Sequence, residues 1–148
     1  VSYYHVPIEV RQKVLKFAEQ CLGINLILTT NVLFPKSVYI TDTLFSDAHP
    51  EKFILIFDVK KNYSGIKTGN IRYFQIPLHL RHNGLAKKVY RMLEKEFINL
   101  GCQMVSVEAT VDRSDQSHTT VSFWEGLGFK KSAYCSPDDD VYPMYKYL

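Results

Sequence analysis

Polar and apolar residues alternate strictly from Met104 to Thr110. Val105, Val107 and Ala109 point one way; Met104, Ser106, Glu108 and Thr110 point the other, as in a strand with one buried face. Just upstream the period changes. Leu85, Val89, Met92, Leu93, Phe97 and Leu100 recur at helical spacing, which predicts a helix over Asn83–Leu100, with Asn83 as N-cap and Gly101 as stop. A second helical face, Val10, Val14, Phe17, Ala18 and Cys21, predicts a helix over 7–22 that begins at Pro7 and stops at Gly23. Phe53–Lys60 is a short, almost wholly apolar run and reads as a buried strand. The Asn, Ser and Gly residues of 61–69 predict a turn, so Asn70–Ile76 returns antiparallel to it. Two short strands are expected at 25–30 and 37–41, around Pro35. Ser117–Leu127 reads as a short helix with Val121, Trp124 and Leu127 on one side. Phe129–Tyr134 and Val141–Leu148 close the chain as a hairpin, and Pro143 makes the last strand an edge or bulges it. The strand 104–110 follows a strand–helix unit, so it lies parallel to 70–76 by a right-handed crossover. The sum is an α/β fold with a mixed sheet.

The junction at 71–86 carries the chemistry. A buried strand stops at Pro77, a polar loop follows, and the long helix begins at once. The free N–H groups of a first helical turn, together with the helix dipole, make such a junction an anion site. Gly84 leaves room for a ligand to approach the backbone, and Ala86 is nearly as small.

Length and composition narrow the classes. The chain has 148 residues, the size of one domain, with 46% hydrophobic and 22% charged residues, as in ordinary globular proteins. Its net charge of +3 comes from scattered cations, which argues against nucleic acid as a partner. The three Cys lack CxxC spacing and read as reduced thiols, which predicts a cytoplasmic protein. No apolar run reaches spanning length, so no membrane association is expected. Asp138–Asp140 lacks the ligand spacing of a calcium loop, and no metal site is predicted.

Two motifs carry a resemblance. Arg81-His82-Asn83-Gly84-Leu85-Ala86, between a strand and a helix, resembles the cofactor-binding motif of the GNAT acetyltransferase superfamily. Phe123-Trp124-Glu125-Gly126-Leu127-Gly128-Phe129 resembles a second family feature, an aromatic pair followed by Gly-Phe. The order of elements fits over roughly 52–148 and only loosely before that. The resemblance implies a single GNAT-like domain over 1–148 with acetyl-CoA or coenzyme A as co-substrate. The backbone of His82, Asn83, Gly84, Leu85 and Ala86 would hold the pyrophosphate, aided by Arg81, Lys87 and Lys88. Phe74 and Ile76 would offer backbone groups to the pantetheine arm, with Ser117 and Trp124 nearby. For that, strands 70–76 and 104–110 must splay apart.

The implied reaction is acetyl transfer to a primary amine of a small-molecule or peptide acceptor. It needs a base for the ammonium and an acid for the leaving thiolate. Here the sequence departs from the family. Trp124 stands where an acidic Tyr is common, and Tyr134, Tyr142 or water is the substitute. No carboxylate lies in 71–77, and Glu108 is the nearest replacement by position, with His79 and His118 behind it. Each of these also has a plain structural reading: a solvated strand carboxylate, surface loop histidines, a core indole, and an Arg81 that only ties its loop. These departures motivate an alternative, a GNAT-like domain that binds coenzyme A or a protein partner without turnover. An open sheet edge offers a route to a homodimer.

Overall fold

The structure is a computed structural model that describes residues 2–110, 120–132 and 140–148. In chain order its elements are β1 (Ser2–Tyr4), α1 (Ile8–Leu22), β2 (Ile27–Thr29), β3 (Val38–Thr41), β4 (Ile54–Lys61), β5 (Lys67–Gln75), a 3-10 turn (Leu78–Leu80), α2 (Leu85–Asn99), β6 (Met104–Thr110), α3 (Thr120–Gly126), β7 (Lys130–Lys131) and β8 (Val141–Tyr147). The strands form one mixed sheet in the order β2-β3-β4-β5-β6-β8-β7, with β1 also paired to β4. All pairs are antiparallel except β5–β6, the expected parallel crossover through α2.

The apolar alternation places the core on one face. Val38, Ile40, Leu55, Phe57, Ile71, Val105, Val107 and Met144 lie under Val14 and Ala18 of α1 and Val89, Leu93 and Phe97 of α2. Gly69 of β5 is part of this contact. A Cβ there would lie 2.5 Å from the Phe97 ring, so the helix ring seats in a notch that only Gly leaves open. The opposite face is mostly polar and carries one small apolar cluster, Tyr39, Ile54 and Ile56. Among the described residues, no helix is long and apolar enough to cross a membrane.

The structure departs from expectation at several points. Asn83 is not the cap of the long helix; Gly84 is, in the left-handed conformation at φ 83, after His82 has also turned left-handed at φ 67. Two positive φ values in the approach carry the chain into the helix one residue later than Asn83 alone suggests. Phe17 is 37% exposed, because α1 buries Val14, Ala18 and Leu22 instead. Pro143 lies in an unbroken register with Glu108, and β8 is flanked by both β6 and β7. Its carbonyl accepts from Ser132 N–H, so the ring nitrogen faces the β7 side and costs the β6 ladder nothing. Strand β1 carries no periodic signal in three exposed residues.

Candidate functional site

The sheet forks. The β5–β6 ladder pairs Thr68 with Met104, Gly69 with Val105, Asn70 with Ser106 and Ile71 with Val107, and ends there. Both strands continue. Beyond Ile71, β5 stays on β4, with Tyr73 opposite Ile56, Phe74 opposite Leu55 and Gln75 opposite Ile54. Beyond Val107, β6 stays on β8, with Glu108 opposite Pro143, Ala109 opposite Tyr142 and Thr110 opposite Val141. The register with β4 slips at the fork: Phe57 faces Ile71 but Ile56 faces Tyr73, so Arg72 is an extra residue on β5. A bulge of this kind bends a strand and ends its pairing. The backbone groups that line the gap need partners, and a peptide-like ligand laid between the lips supplies them. The two strands that the resemblance requires to splay apart do so here.

A polar network sits at the fork on the outer face. Asp58 is fully buried and accepts three donors: Ser37 Oγ at 2.9 Å, Arg72 Nε at 2.6 Å and Asn70 Nδ2 at 3.2 Å. Asn70 Oδ1 accepts Ser106 Oγ at 2.9 Å, which spans the last part of the ladder. Arg72 Nη2 donates to the Tyr3 hydroxyl at 2.9 Å, and its guanidinium lies 4.6 Å from the centre of the Phe34 ring.

The junction between the loop at 81–84 and α2 stands at the open end of the fork, because β5 runs directly into it. Lys88 N–H is the first to bond back into the helix, to Gly84 O at 3.2 Å, so the N–H groups of Leu85, Ala86 and Lys87 have no acceptor within it. A Cβ on Gly84 would meet nothing within 4 Å, so the space over these donors is open. A pocket of about 280 Å³ lies there, between Gly84, Ala86 and Lys87 on one side and Ser122 and Phe123 of α3 on the other. Lys88, Arg91 and Lys95 continue the positive surface along α2.

Aromatic rings floor the gap. Phe74 of β5 stands 6.4 Å from Phe123 and 6.2 Å from Trp124 between ring centres. Phe74 and Phe123 are half-buried, whereas Trp124 is 4% exposed behind them, edge-on to Tyr90 and Phe129. Burial, and the Glu94 carboxylate one turn on, hold the Tyr90 hydroxyl well above the ordinary phenol range, so it stays protonated.

The structure thus brings Phe74, Gly84, Leu85, Ala86, Lys87 and Trp124 to one end of the fork. His82 and Asn83 lie exposed in the loop. Arg81 is turned to the protein itself, donating from Nε to Ile76 O at 3.0 Å and from Nη2 to Pro50 O at 3.3 Å. It therefore braces the loop and occupies the Ile76 carbonyl. Glu108 is exposed on the outer face, one residue past the fork. His79 is bound to Glu51 through both its ring Nδ1 and its backbone N–H. The hydrogen bond from His79 is the main cause holding the Glu51 carboxyl below its usual value. Tyr142 is buried under the helix-covered face. Tyr134, Ser117 and His118 lie outside the described residues.

Sequence reasoning missed Tyr73. It is 44% exposed on the same outer face as Glu108, on the opposite lip of the gap. A simple alternation through 70–76 would turn it inward; the bulge at Arg72 turns it out. The adjacent polar pair Arg72-Tyr73, which breaks the alternation after Ile71, was the available signal.

No protein-family model matches the chain, and no curated protein matches its sequence. Solved structures do match. The NatC complex bound to Gag peptide and CoA contains a chain 15% identical to this one at a TM-score of 0.55, covering 99% of this chain and 98% of that one. Naa50 of Arabidopsis thaliana, in complex with the bisubstrate analogue CoA-Ac-MVNAL, is 10% identical at a TM-score of 0.53, covering 99% and 98%. Ard1 from Thermoplasma volcanium is 17% identical at 0.51, covering 99% and 97%. At such identities the likeness is one of fold, and it extends over nearly the whole of each chain. The chain has the fold of the GNAT acetyltransferases.

Proposed function

We propose that residues 1–148 form one acyl-CoA-dependent N-acyltransferase unit, which moves an acetyl group from acetyl-CoA to a primary amine of a small-molecule or peptide acceptor. The observation that carries this reading is the fork past Ile71 and Val107, with the start of α2 at its open end. The residues present suit coenzyme A. The first-turn donors of α2 suit its pyrophosphate, and the open space over Gly84 admits it. The lips of β5 and β6 suit the amides of the pantetheine arm, and Phe74 and Phe123 suit its apolar stretches. Bound acetyl-CoA supplies the activated thioester carbonyl. The chain's part is to polarise that carbonyl with a strand N–H, to take a proton from the ammonium, and to return one to the thiolate. Glu108 and Tyr73 face the outer side of the gap and are the groups best placed to receive the amine proton, directly or through water. Tyr134 is the proposed acid. A peptide acceptor is favoured within the amine class, because NatC and Naa50 were solved with a peptide and a peptide-bearing analogue respectively.

Calorimetric titration with acetyl-CoA tests the reading. Binding is expected well below ~1 mM, which means more than about 4 kcal/mol of binding free energy, and no heat at that concentration sinks the proposal. Gly84→Val should abolish the binding while costing about 1–2 kcal/mol of stability, since only its positive φ penalises a side chain there. The second reading is a domain that binds coenzyme A without turnover; the exposure of Glu108 favours it. Thiol release above the hydrolysis background with any of a panel of peptide and small amines rejects it.

A further inference from the structure

The outer-face network lies where the fork begins, and its bonds run in two directions. Toward β6, Ser106 bonds Asn70, and Asn70 and Ser106 are themselves partners in the ladder just before it ends. Away from β6, Arg72 reaches over β4 to Asp58 and on to Tyr3 of β1, and stacks on Phe34. Asn70 joins the two arms, because its amide also donates to Asp58. The change of direction falls between residues 70 and 72, and the ladder ends at Ile71. A buried carboxylate with three donors is rigid and costly to disturb.

We infer that Arg72 is a positioning residue that holds the fork open, while Asn70 and Ser106 hold its base shut, so that this network fixes how far β5 and β6 zip together. Nothing in the apolar pattern of the two strands stops them pairing further. The residues past the fork are strand on both sides and run to Gln75 and Thr110. What keeps β5 off β6 is the extra residue at 72, and that residue stays in the bulge because its guanidinium is tied to β4 and β1. The depth of the gap sets how far a pantetheine arm can enter. That consequence rests on the function proposed above; the device itself does not.

Amide hydrogen exchange on the full chain without ligand tests it. Lysine cannot bond Asp58 and Tyr3 at once while stacking on Phe34. In Arg72→Lys the lips should zip for most of the time. Gap-facing amides within 73–75 and 108–110 should then exchange about tenfold more slowly, if the fork is open about a tenth of the time. A purely structural role predicts the opposite sign, because loss of stability speeds exchange. Equal or faster exchange at these amides in the folded variant overturns the inference. Tyr3→Phe removes one bond of the same arm and should slow the same amides by a smaller factor. It decides the matter in the same way if Arg72→Lys does not fold. Ser106→Ala opens the other arm: the Ile71 and Val107 amides should exchange faster with no slowing past the fork, and unchanged exchange there counts against the clamp. Coenzyme A should bind Arg72→Lys about tenfold more weakly, the cost of a site formed a tenth of the time. Failure of the wild-type protein to bind it would sink the functional reading and leave the exchange result standing.

Discussion

The two faces of the sheet are organised on different principles. The helix-covered face is held by apolar contact that is dense and non-directional, from Val38 across to Met144. The outer face is held at the fork by directional bonds to one buried carboxylate, Asp58. Apolar packing decides that there is a sheet with two long helices on one side. Directional bonds decide where that sheet divides. Contact area has no preferred rung at which to stop, whereas a bond from Arg72 to Asp58 has one length and one direction.

Substitutions on each face sharpen the contrast. The largest loss is expected from Phe97→Ala on the packed face: about 3–5 kcal/mol by denaturant unfolding, the usual cost of emptying an aromatic core site. It should leave the relative exchange rates on the two sides of the fork as they are. Asp58→Asn on the outer face should cost less, about 1–3 kcal/mol, because the amide cannot accept all three donors. It should nonetheless change exchange at the fork, which Phe97→Ala should not. A similar exchange pattern in both variants would dissolve the distinction between the faces. The smallest effect is chemical. Burial on the packed face pushes the Cys102 thiol up to about 11, against a smaller opposing pull from Lys67. It should resist alkylation at pH 8 while the half-buried Cys21 reacts, as read by mass spectrometry of the labelled peptides. The folded thiol keeps its proton where the unfolded one loses it. Its contribution to stability is therefore complete below the unfolded value, declines as pH rises toward about 11, and is flat above.

The same division explains what was legible in the sequence. Strand β6 appears with its predicted bounds, and α2 within two residues of its predicted start, because both rest on apolar periodicity. The parallel crossover follows from element order. The cap of α2 was misplaced because a left-handed His82 leaves no mark in a residue string. Splaying of the two strands was expected from the family resemblance, but its place at Ile71 was not, because the bonds that set it join residues 3, 37, 58, 70, 72 and 106 from distant parts of the chain. Asp58 read as one acid at the end of an apolar run. The candidate loop was legible as Gly84 at the start of a helix; the self-directed bonds of Arg81 to Ile76 and Pro50 were not, since they depend on where the loop folds back.

The notch at Gly69 has a mechanical consequence. The Phe97 ring seated against it keys α2 into β5 two residues before the fork. The helix cannot slide along the sheet without lifting that ring out, so the distance from its first turn to the point of division is a fixed length. A molecule that must touch both ends is measured by it, as by a ruler: one too short leaves either the helix start or the gap unfilled. Position 69 is where that ruler would be recalibrated, because any side chain there displaces the helix and shifts the zero of the scale.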